Sequence, residues 1–163
     1  MKMREWTTVD KTAWGPGPWQ EEPDKVQWLD AETGLACLAK RNGVGAWCGY
    51  VGVPEGHPAY KRRHYGDLWN VECHGGLIYS DFCQEGPEAE TICHVAEPGE
   101  PEPLWWFGFD CSHSWDAWPY KGRTREDEGR SYKTLGYVKR EVAKLAQQLL
   151  AWKPREKGEK KRK

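Results

Sequence analysis

The chain has 163 residues, and 24 lysines and arginines nearly balance 25 aspartates and glutamates, for a formal net charge of -1. This length suits one ordinary domain with its own hydrophobic core, and the balanced charge excludes a generally basic nucleic-acid binder. No run approaches the roughly 20 apolar residues of a membrane span, and no apolar stretch follows the charged first six residues. We therefore expect no membrane contact, no secretory signal and a cytoplasmic location.

Tryptophan and proline set the beginning of the chain apart. Eleven tryptophans outnumber seven tyrosines and three phenylalanines, and each indole adds a large apolar area and an N–H that needs a partner. The run Gly15-Pro16-Gly17-Pro18 excludes a helix or a central strand at that point. We predict a Trp- and Pro-rich entry segment over 1–30, a single domain over 31–152 and a disordered basic tail over 153–163.

Runs of strand length, separated by turn residues, predict a sheet in the domain. The runs are 35–41, 46–53, 69–74, 77–80, 92–95 and 104–111. Asn42-Gly43 between the first two runs is the strongest short hairpin signal, and Gly75-Gly76 marks a second candidate hairpin. The last run is the most apolar, and we assign it to a central strand.

The clearest predicted element is a helix near the C-terminal end. Its apolar positions step by three or four residues and form one continuous face. They are Leu135, Val138, Val142, Leu145 and Leu149. Thr134 has the side chain and the position of an N-cap. Together the elements predict an α+β fold, with a mainly antiparallel sheet of five or six strands and the amphipathic helix packed on one face.

The expected cytoplasmic location predicts the oxidation state of the cysteines. The six cysteines are Cys37, Cys48, Cys73, Cys83, Cys93 and Cys111. The cytoplasm keeps thiols reduced, so we expect six free thiols and no disulfide. No C-x-x-C spacing occurs, so the usual zinc ribbon and zinc finger patterns are not found in the sequence.

Three stretches at or just after predicted strand ends concentrate reactive side chains, where ligand sites collect on a sheet scaffold. They are residues 73–77, 92–95 and 109–113. Gly75 and Gly76 allow a ligand to approach the backbone closely. We expect Asp110 to orient His74, with His113 nearby, as carboxylates orient catalytic and ligand-binding imidazoles. The structural alternative is that Asp110 caps a turn and His74 is a satisfied core histidine.

The same stretches offer two other kinds of chemistry. Donors suitable for zinc are Cys73, His74, Cys93, His94, Cys111 and His113. Neighbouring residues of a strand face opposite sides, so an adjacent Cys-His pair would not converge on one ion, and zinc is the weaker alternative to a site without cofactor. Cysteine catalysis would use Cys93 or Cys111 beside a histidine, and neither lies in a recognisable cysteine-hydrolase context.

Basic residues cluster ahead of the helix. Arg123, Arg125 and Arg130 lie there among aromatic residues, and guanidinium groups beside rings suit a planar anionic ligand. The helix N-terminus at Thr134 adds backbone donors. The alternative is that these charges are solvated and balance the local acids. The basic tail allows at most weak contact with nucleic acid.

Several motifs resemble, in their order and spacing, those of a family of small proteins carried by bacteriophages and prophages. They are His74–Tyr79, Ile92–Pro101, Trp105–His113, Tyr132–Val138 and Gly49–Pro58, which together lie within residues 45–150. One departure is Ser114-Trp115 before Asp116, where the family has a small residue and glycine. The resemblance implies an accessory protein that acts on the host in its cytoplasm, and it assigns no activity.

The sequence therefore favours a phage-type accessory protein that binds a small polar, anionic ligand derived from a nucleotide. Sequestration of a host immune signal is the concrete form of this hypothesis. Two other classes stay open. One is a hydrolase of a phosphate ester or glycosidic bond that uses His74, Asp110 and His113. The other is a partner-binding inhibitor with exposed tryptophans as its hot spot. The candidates are Trp14, Trp19, Trp115 and Trp118. A homo-oligomer is compatible with each class.

Overall fold

A computed structural model describes residues 1–119 and 129–156. Within these ranges the chain forms eight strands, one α-helix and two short 3-10 helices at Thr12–Trp14 and Pro18–Glu21. The strands are β1 (Arg4–Trp6), β2 (Lys25–Leu29), β3 (Ala36–Arg41), β4 (Trp47–Val53), β5 (Tyr79–Asp81), β6 (Trp105–Asp110), β7 (Asp116–Ala117) and β8 (Ser131–Tyr132), and the helix is α1 (Leu135–Ala151). Among these elements, no helix is long and apolar enough to cross a membrane.

The main sheet has six strands in the order β1-β2-β3-β4-β6-β5, and all its neighbours are antiparallel. The predicted α+β fold is confirmed. The first predicted hairpin is confirmed as β3 and β4, where the Asn42 N–H donates to the Ala46 carbonyl at 2.8 Å. The most apolar run is β6, which has a strand on each side.

One face of the sheet packs against α1. Val51 and Phe107 face the helix from β4 and β6, and Val142 and Leu145 face the sheet from α1. All four are fully buried. Gly49 permits this close approach, since a Cβ there would lie 2.6 Å from a methyl carbon of Val142. The predicted packing of the helix on one face of the sheet is therefore confirmed.

The opposite face of the sheet is covered by the segment between β5 and β6. Leu38, Tyr50 and Trp106 are buried on this face together with Ile92 and Leu104 of that segment. Successive side chains of a strand point to opposite faces of the sheet, so the strand residues named here lie on the face away from α1. Both faces of the sheet are therefore buried at β3, β4 and β6.

Residues 92–95 form no strand, so that prediction is wrong. Lys25 on β2 donates its Nζ to the Cys93 carbonyl at 2.7 Å. The Gln27 side chain pairs with both backbone groups of Val95, at 2.7 and 3.2 Å. These buried β2 side chains satisfy backbone groups that a neighbouring strand would otherwise pair with.

The second predicted hairpin is also wrong. Residues 69–74 form turns and irregular structure instead of a strand, and Gly75 and Gly76 have φ angles of +68° and +84°. The run at 77–80 yields the short strand β5, which pairs with β6. The two glycines therefore end one turn instead of joining two paired strands.

The entry segment is fastened to the sheet. It contains β1 and β2, and the Asp24 carboxylate lies 2.8 Å from Lys11 Nζ and 3.0 Å from Arg41 Nε on β3. Trp19 is buried, with its ring edge-on to Tyr132. The expectation that Trp19 forms part of an exposed hot spot is therefore wrong. Of the predicted basic tail, residues 157–163 lie outside the described residues.

The prediction of six free thiols is wrong for one pair of cysteines. Cys83 and Cys93 form a disulfide, with their Cα atoms 4.8 Å apart. The chain between them folds back so that the Gln84 N–H donates to the Ile92 carbonyl at 3.2 Å, which brings the two sulfurs together. The other four cysteines carry free thiols.

Candidate functional site

Asp116 lies at the centre of a cluster that contains several of the predicted site residues. Its Oδ2 is 2.9 Å from His74 Nε2 and 2.9 Å from His113 Nδ1, and it accepts the His113 backbone N–H at 3.0 Å. Its Oδ1 is 3.0 Å from Lys133 Nζ. Asp116 is fully buried, so these donors replace the water that the carboxylate loses on folding.

Three separate parts of the chain meet in this cluster. His113 follows β6, and Asp116 begins β7, which pairs in parallel with β8. Lys133 follows β8 directly and so reaches the same carboxylate. His74 lies in the turn closed by the hydrogen bond from the Gly76 N–H to the Cys73 carbonyl at 2.9 Å. The cluster therefore joins the end of strand β6 to the start of α1.

Asp116, and not Asp110, orients His74, so the predicted pairing is wrong. Asp110 pairs in register with Cys48, whose side chain lies on the sheet face away from α1. His74 contacts Tyr137 of α1 at 2.8 Å, on the other side. Because cross-strand partners point to the same face, the Asp110 side chain is directed away from His74.

Asp110 instead contacts His113. Its Oδ1 lies 3.3 Å from His113 Nε2, and its Oδ2 accepts the Ser112 hydroxyl at 3.0 Å. The His113 ring therefore has Asp116 at one nitrogen and Asp110 at the other. The side chains of His113 and Asp110 are 19% and 25% exposed, so a ligand in solvent can reach both.

Tyr137 completes the surroundings of His74. Thr134 caps α1 by accepting the Tyr137 N–H, which confirms the predicted cap and fixes the first turn of the helix. The Tyr137 hydroxyl is 2.8 Å from His74 Nδ1 and donates to Glu141 at 3.3 Å. Burial, with the nearby Glu141 carboxylate, raises the pKa of Tyr137 to about 12, so the phenol stays protonated at neutral pH.

The protonation of Asp116 follows from its donors. Burial alone would raise its pKa, but hydrogen bonds from His74, from the backbone and ring of His113 and from Lys133 outweigh burial and lower the pKa. The carboxylate is therefore ionised at neutral pH. It fixes both imidazoles through charge-assisted hydrogen bonds.

The two predicted glycines differ in role. A Cβ on Gly75 would lie 2.2 Å from ring atoms of His113, so Gly75 makes room for a side chain of the site. Gly76, with open space around it, follows in the same turn. Arg130 is half-buried and precedes β8. Arg123 and Arg125 lie outside the described residues.

Trp115 forms the solvent side of the cluster. Its indole is 50% exposed and stacks on the His113 imidazole, with ring centroids 4.5 Å apart and an angle of 6° between the planes. We call this pair the His113–Trp115 platform. Its flat surface is the feature of the site most accessible to a ligand.

A groove of about 380 Å³ lies on the other side of His74, along α1. It is lined by Glu72, Cys73, His74, Tyr137, Glu141, Lys144 and Gln148. Two glutamates face one lysine there, so the groove does not suit an anion.

Cysteine catalysis finds no support at this cluster. Burial raises the pKa of Cys73 to about 12 and raises the pKa of Cys111 well above its usual range. Both thiols therefore stay protonated at neutral pH, and the thiolate is the nucleophilic form.

Two groups in the described ranges bring three possible metal ligands together within 4.8 Å: His74 with His113 and Asp116, and Cys83 with Cys93 and His94. In the first group, three N–H donors already surround Asp116 Oδ2, and the Lys133 ammonium lies at Oδ1. This arrangement suits a hydrogen-bond network better than a cation, because a cation would add to the charge of Lys133.

Sequence reasoning missed Asp116 and Tyr137. Asp116 lies three residues after His113, a spacing at which a carboxylate can accept a backbone N–H within a turn. That signal is common in turns without any functional role. No sequence pattern marks Tyr137 as a site residue, because His74, which it contacts, is 63 residues away in the chain.

No family model, curated protein or solved structure matches this chain. The resemblance to phage proteins stays a prediction, and the function is argued from the site.

Proposed function

We propose that the protein binds a small, flat polar ligand of the nucleotide-derived class on the His113–Trp115 platform. The observation that carries the proposal is the parallel stack of a half-exposed indole on a fixed imidazole. Nucleobases stack on exposed aromatic side chains, and each stacked base contributes about 1–3 kcal/mol. The indole of Trp115 offers such a surface.

The His113 side of the platform is held in place by several contacts. The His113 ring is held at Nδ1 by Asp116 and at Nε2 by Asp110, and its backbone N–H is held by Asp116 as well. A preorganised surface loses less conformational freedom on binding, which favours affinity. Asp110 adds carboxylate oxygens at the edge, which can accept N–H groups of a base.

Positive charge for a phosphate would come from the chain next to the platform. Arg130 is half-buried just ahead of β8, whereas the Lys133 ammonium is already paired with Asp116. The sequence between β7 and β8 also contains Arg123 and Arg125. Guanidinium groups bind phosphate through paired hydrogen bonds.

The role we propose is that of a phage-type accessory protein that sequesters a nucleotide-derived host signal. Turnover by a cysteine nucleophile is disfavoured because burial keeps the thiols beside the cluster, Cys73 and Cys111, protonated. The phage context rests on the motif resemblance.

A hydrolase of a phosphate ester or glycosidic bond is the second candidate. The observation that favours it is the His113 ring between two carboxylates, an arrangement typical of general acid–base catalysis. In that case water is the nucleophile, and His113 would take its proton. A product of altered mass would then appear during incubation with the ligand.

The proposal is tested by calorimetry of the full-length protein against cyclic and linear nucleotides. Trp115→Ala should weaken binding roughly five- to 150-fold, because it removes a stacking energy of about 1–3 kcal/mol. Trp69→Ala is the matched control, since Trp69 is 40% exposed and lies outside the cluster.

Thermal melts of both variants show whether the fold is kept. Equal binding by wild type and Trp115→Ala would overturn the platform, as would loss of binding in Trp69→Ala alone. Conversion of a nucleotide to product by wild type would replace the binding function with the hydrolase. Failure of every nucleotide to bind would overturn the ligand class.

A further inference from the structure

We propose a second site, independent of the platform: with their disulfide reduced, Cys83 and Cys93 bind a thiophilic divalent cation such as zinc together with His94. The two sulfurs and one ring nitrogen of His94 lie within 4.8 Å of one another. Thiolate and imidazole ligands are the set that zinc prefers.

The local backbone removes the geometric objection to an adjacent Cys-His pair. In a regular strand Cys93 and His94 would face opposite sides. Residues 92–95 form no strand, and the donor atoms of both side chains lie within 4.8 Å of the Cys83 sulfur. The irregular path of this segment is therefore what allows the three donors to converge.

One ring nitrogen of His94 makes no hydrogen bond within the described residues. His94 is only 7% exposed, and its Nδ1 has no hydrogen-bond partner among the described residues. A buried polar atom left without a partner costs about 1–3 kcal/mol. A metal ion gives the ring a partner.

The ligands stay near one another without the disulfide. Lys25 Nζ holds the Cys93 carbonyl at 2.7 Å, and Gln27 holds the backbone of Val95. The Gln84–Ile92 backbone hydrogen bond closes the segment between the two cysteines. Lys25 and Gln27 are fully buried on β2, so the main sheet fixes the segment in both redox states.

The chemistry balances with a phosphine as reductant. The disulfide takes up two electrons and two protons and becomes two thiols, while the phosphine becomes a phosphine oxide with an oxygen atom from water. Zinc then binds both sulfurs as thiolates and the neutral imidazole, and two protons are released. Three protein ligands leave the fourth tetrahedral position to water.

The test is a titration of the reduced full-length protein with Co²⁺ and Zn²⁺, followed by absorption spectra. Reduced wild type should bind one equivalent, with a thiolate-to-cobalt charge-transfer band that zinc abolishes, and the oxidised protein should show no such band. His94→Ala should weaken zinc binding about a hundredfold or more, since even an outer-shell partner costs about 10–100-fold.

Cys73→Ser is the matched control, because Cys73 is a partly buried free thiol, and it should bind like wild type. Circular dichroism of each reduced protein shows that the fold is kept. Absence of metal binding by folded, reduced wild type would overturn the site, as would unchanged affinity in His94→Ala. Binding that persists in the oxidised protein without a sulfur band would point to His74, His113 and Asp116 instead and would also overturn it.

Discussion

At the scale of single residues, the carboxylate of Asp116 joins segments that are far apart in the chain. One oxygen of Asp116 contacts both His113 and His74, which is 42 residues away, and Lys133 lies at the other oxygen. Since the carboxylate is fully buried, its charge is balanced only by these neighbours among the described residues. The stability of the cluster therefore depends on its ionisation.

We expect Asp116→Asn to destabilise the protein by roughly 1–3 kcal/mol at neutral pH, because it removes the buried charge that the donors of His74, His113 and Lys133 face. The lowered pKa of Asp116 also sets a pH dependence. A depressed carboxyl pKa stabilises the fold above the unfolded value near 4, and this stabilisation is lost as the pH falls from there through the folded value.

The measurement is denaturant unfolding of both proteins between about pH 7 and pH 3. The gap between wild type and Asp116→Asn should shrink below about pH 4. Asp67→Asn is the matched control, since the Asp67 side chain is 42% exposed and its ion pair is 3.9 Å long. A gap that stays constant with pH, or equal stability at neutral pH, would contradict the role given to Asp116.

The sequence allowed His74, His113 and Asp110 to be grouped, because each follows a strand or a turn at the same region of the sheet. It did not allow the correct partner of His74 to be chosen. That choice depends on the face to which Asp110 points, which is set by its register with Cys48. The register between strands is set by tertiary contacts, and the hydrophobic pattern of a single sequence does not specify it.

At the scale of elements, the correct predictions are those with local causes. The hairpin of β3 and β4 follows from the turn at Asn42-Gly43, and α1 follows from its apolar period and its cap at Thr134. Residues 92–95 have the composition of a strand, but the side chains of Lys25 and Gln27 bind their backbone instead. Nothing near positions 92–95 signals partners on β2.

The docking of α1 gives a second test at this scale. Leu145 is fully buried against the sheet, so Leu145→Asp should unfold the domain. The free-energy cost of burying an unpaired carboxylate exceeds the net stability of a typical fold. Leu150→Asp is the matched control on the same helix, since Leu150 is 54% exposed. Circular dichroism melts compare the two. A cooperative melt near the wild-type temperature for Leu145→Asp would contradict the docking.

At the scale of the whole molecule, the sheet is covered by α1 on one face and by the segment between β5 and β6 on the other. The platform and the proposed cation site lie in different parts of this layered structure. The platform follows β6 near the start of α1, and Cys83 and Cys93 belong to the covering segment. Ligand binding at the platform should therefore not depend on the redox state of the disulfide.

The central claim is that the protein binds an intact small molecule at the His113–Trp115 platform. The most direct measurement is mass spectrometry of the small molecules released on denaturation from full-length protein purified out of the cells that produce it, with Trp115→Ala purified beside it. We predict an unmodified nucleotide-derived compound from wild type, at near one equivalent, and strong depletion of it from the variant. No small molecule from wild type, a cleaved product, or equal amounts from both proteins would contradict the account.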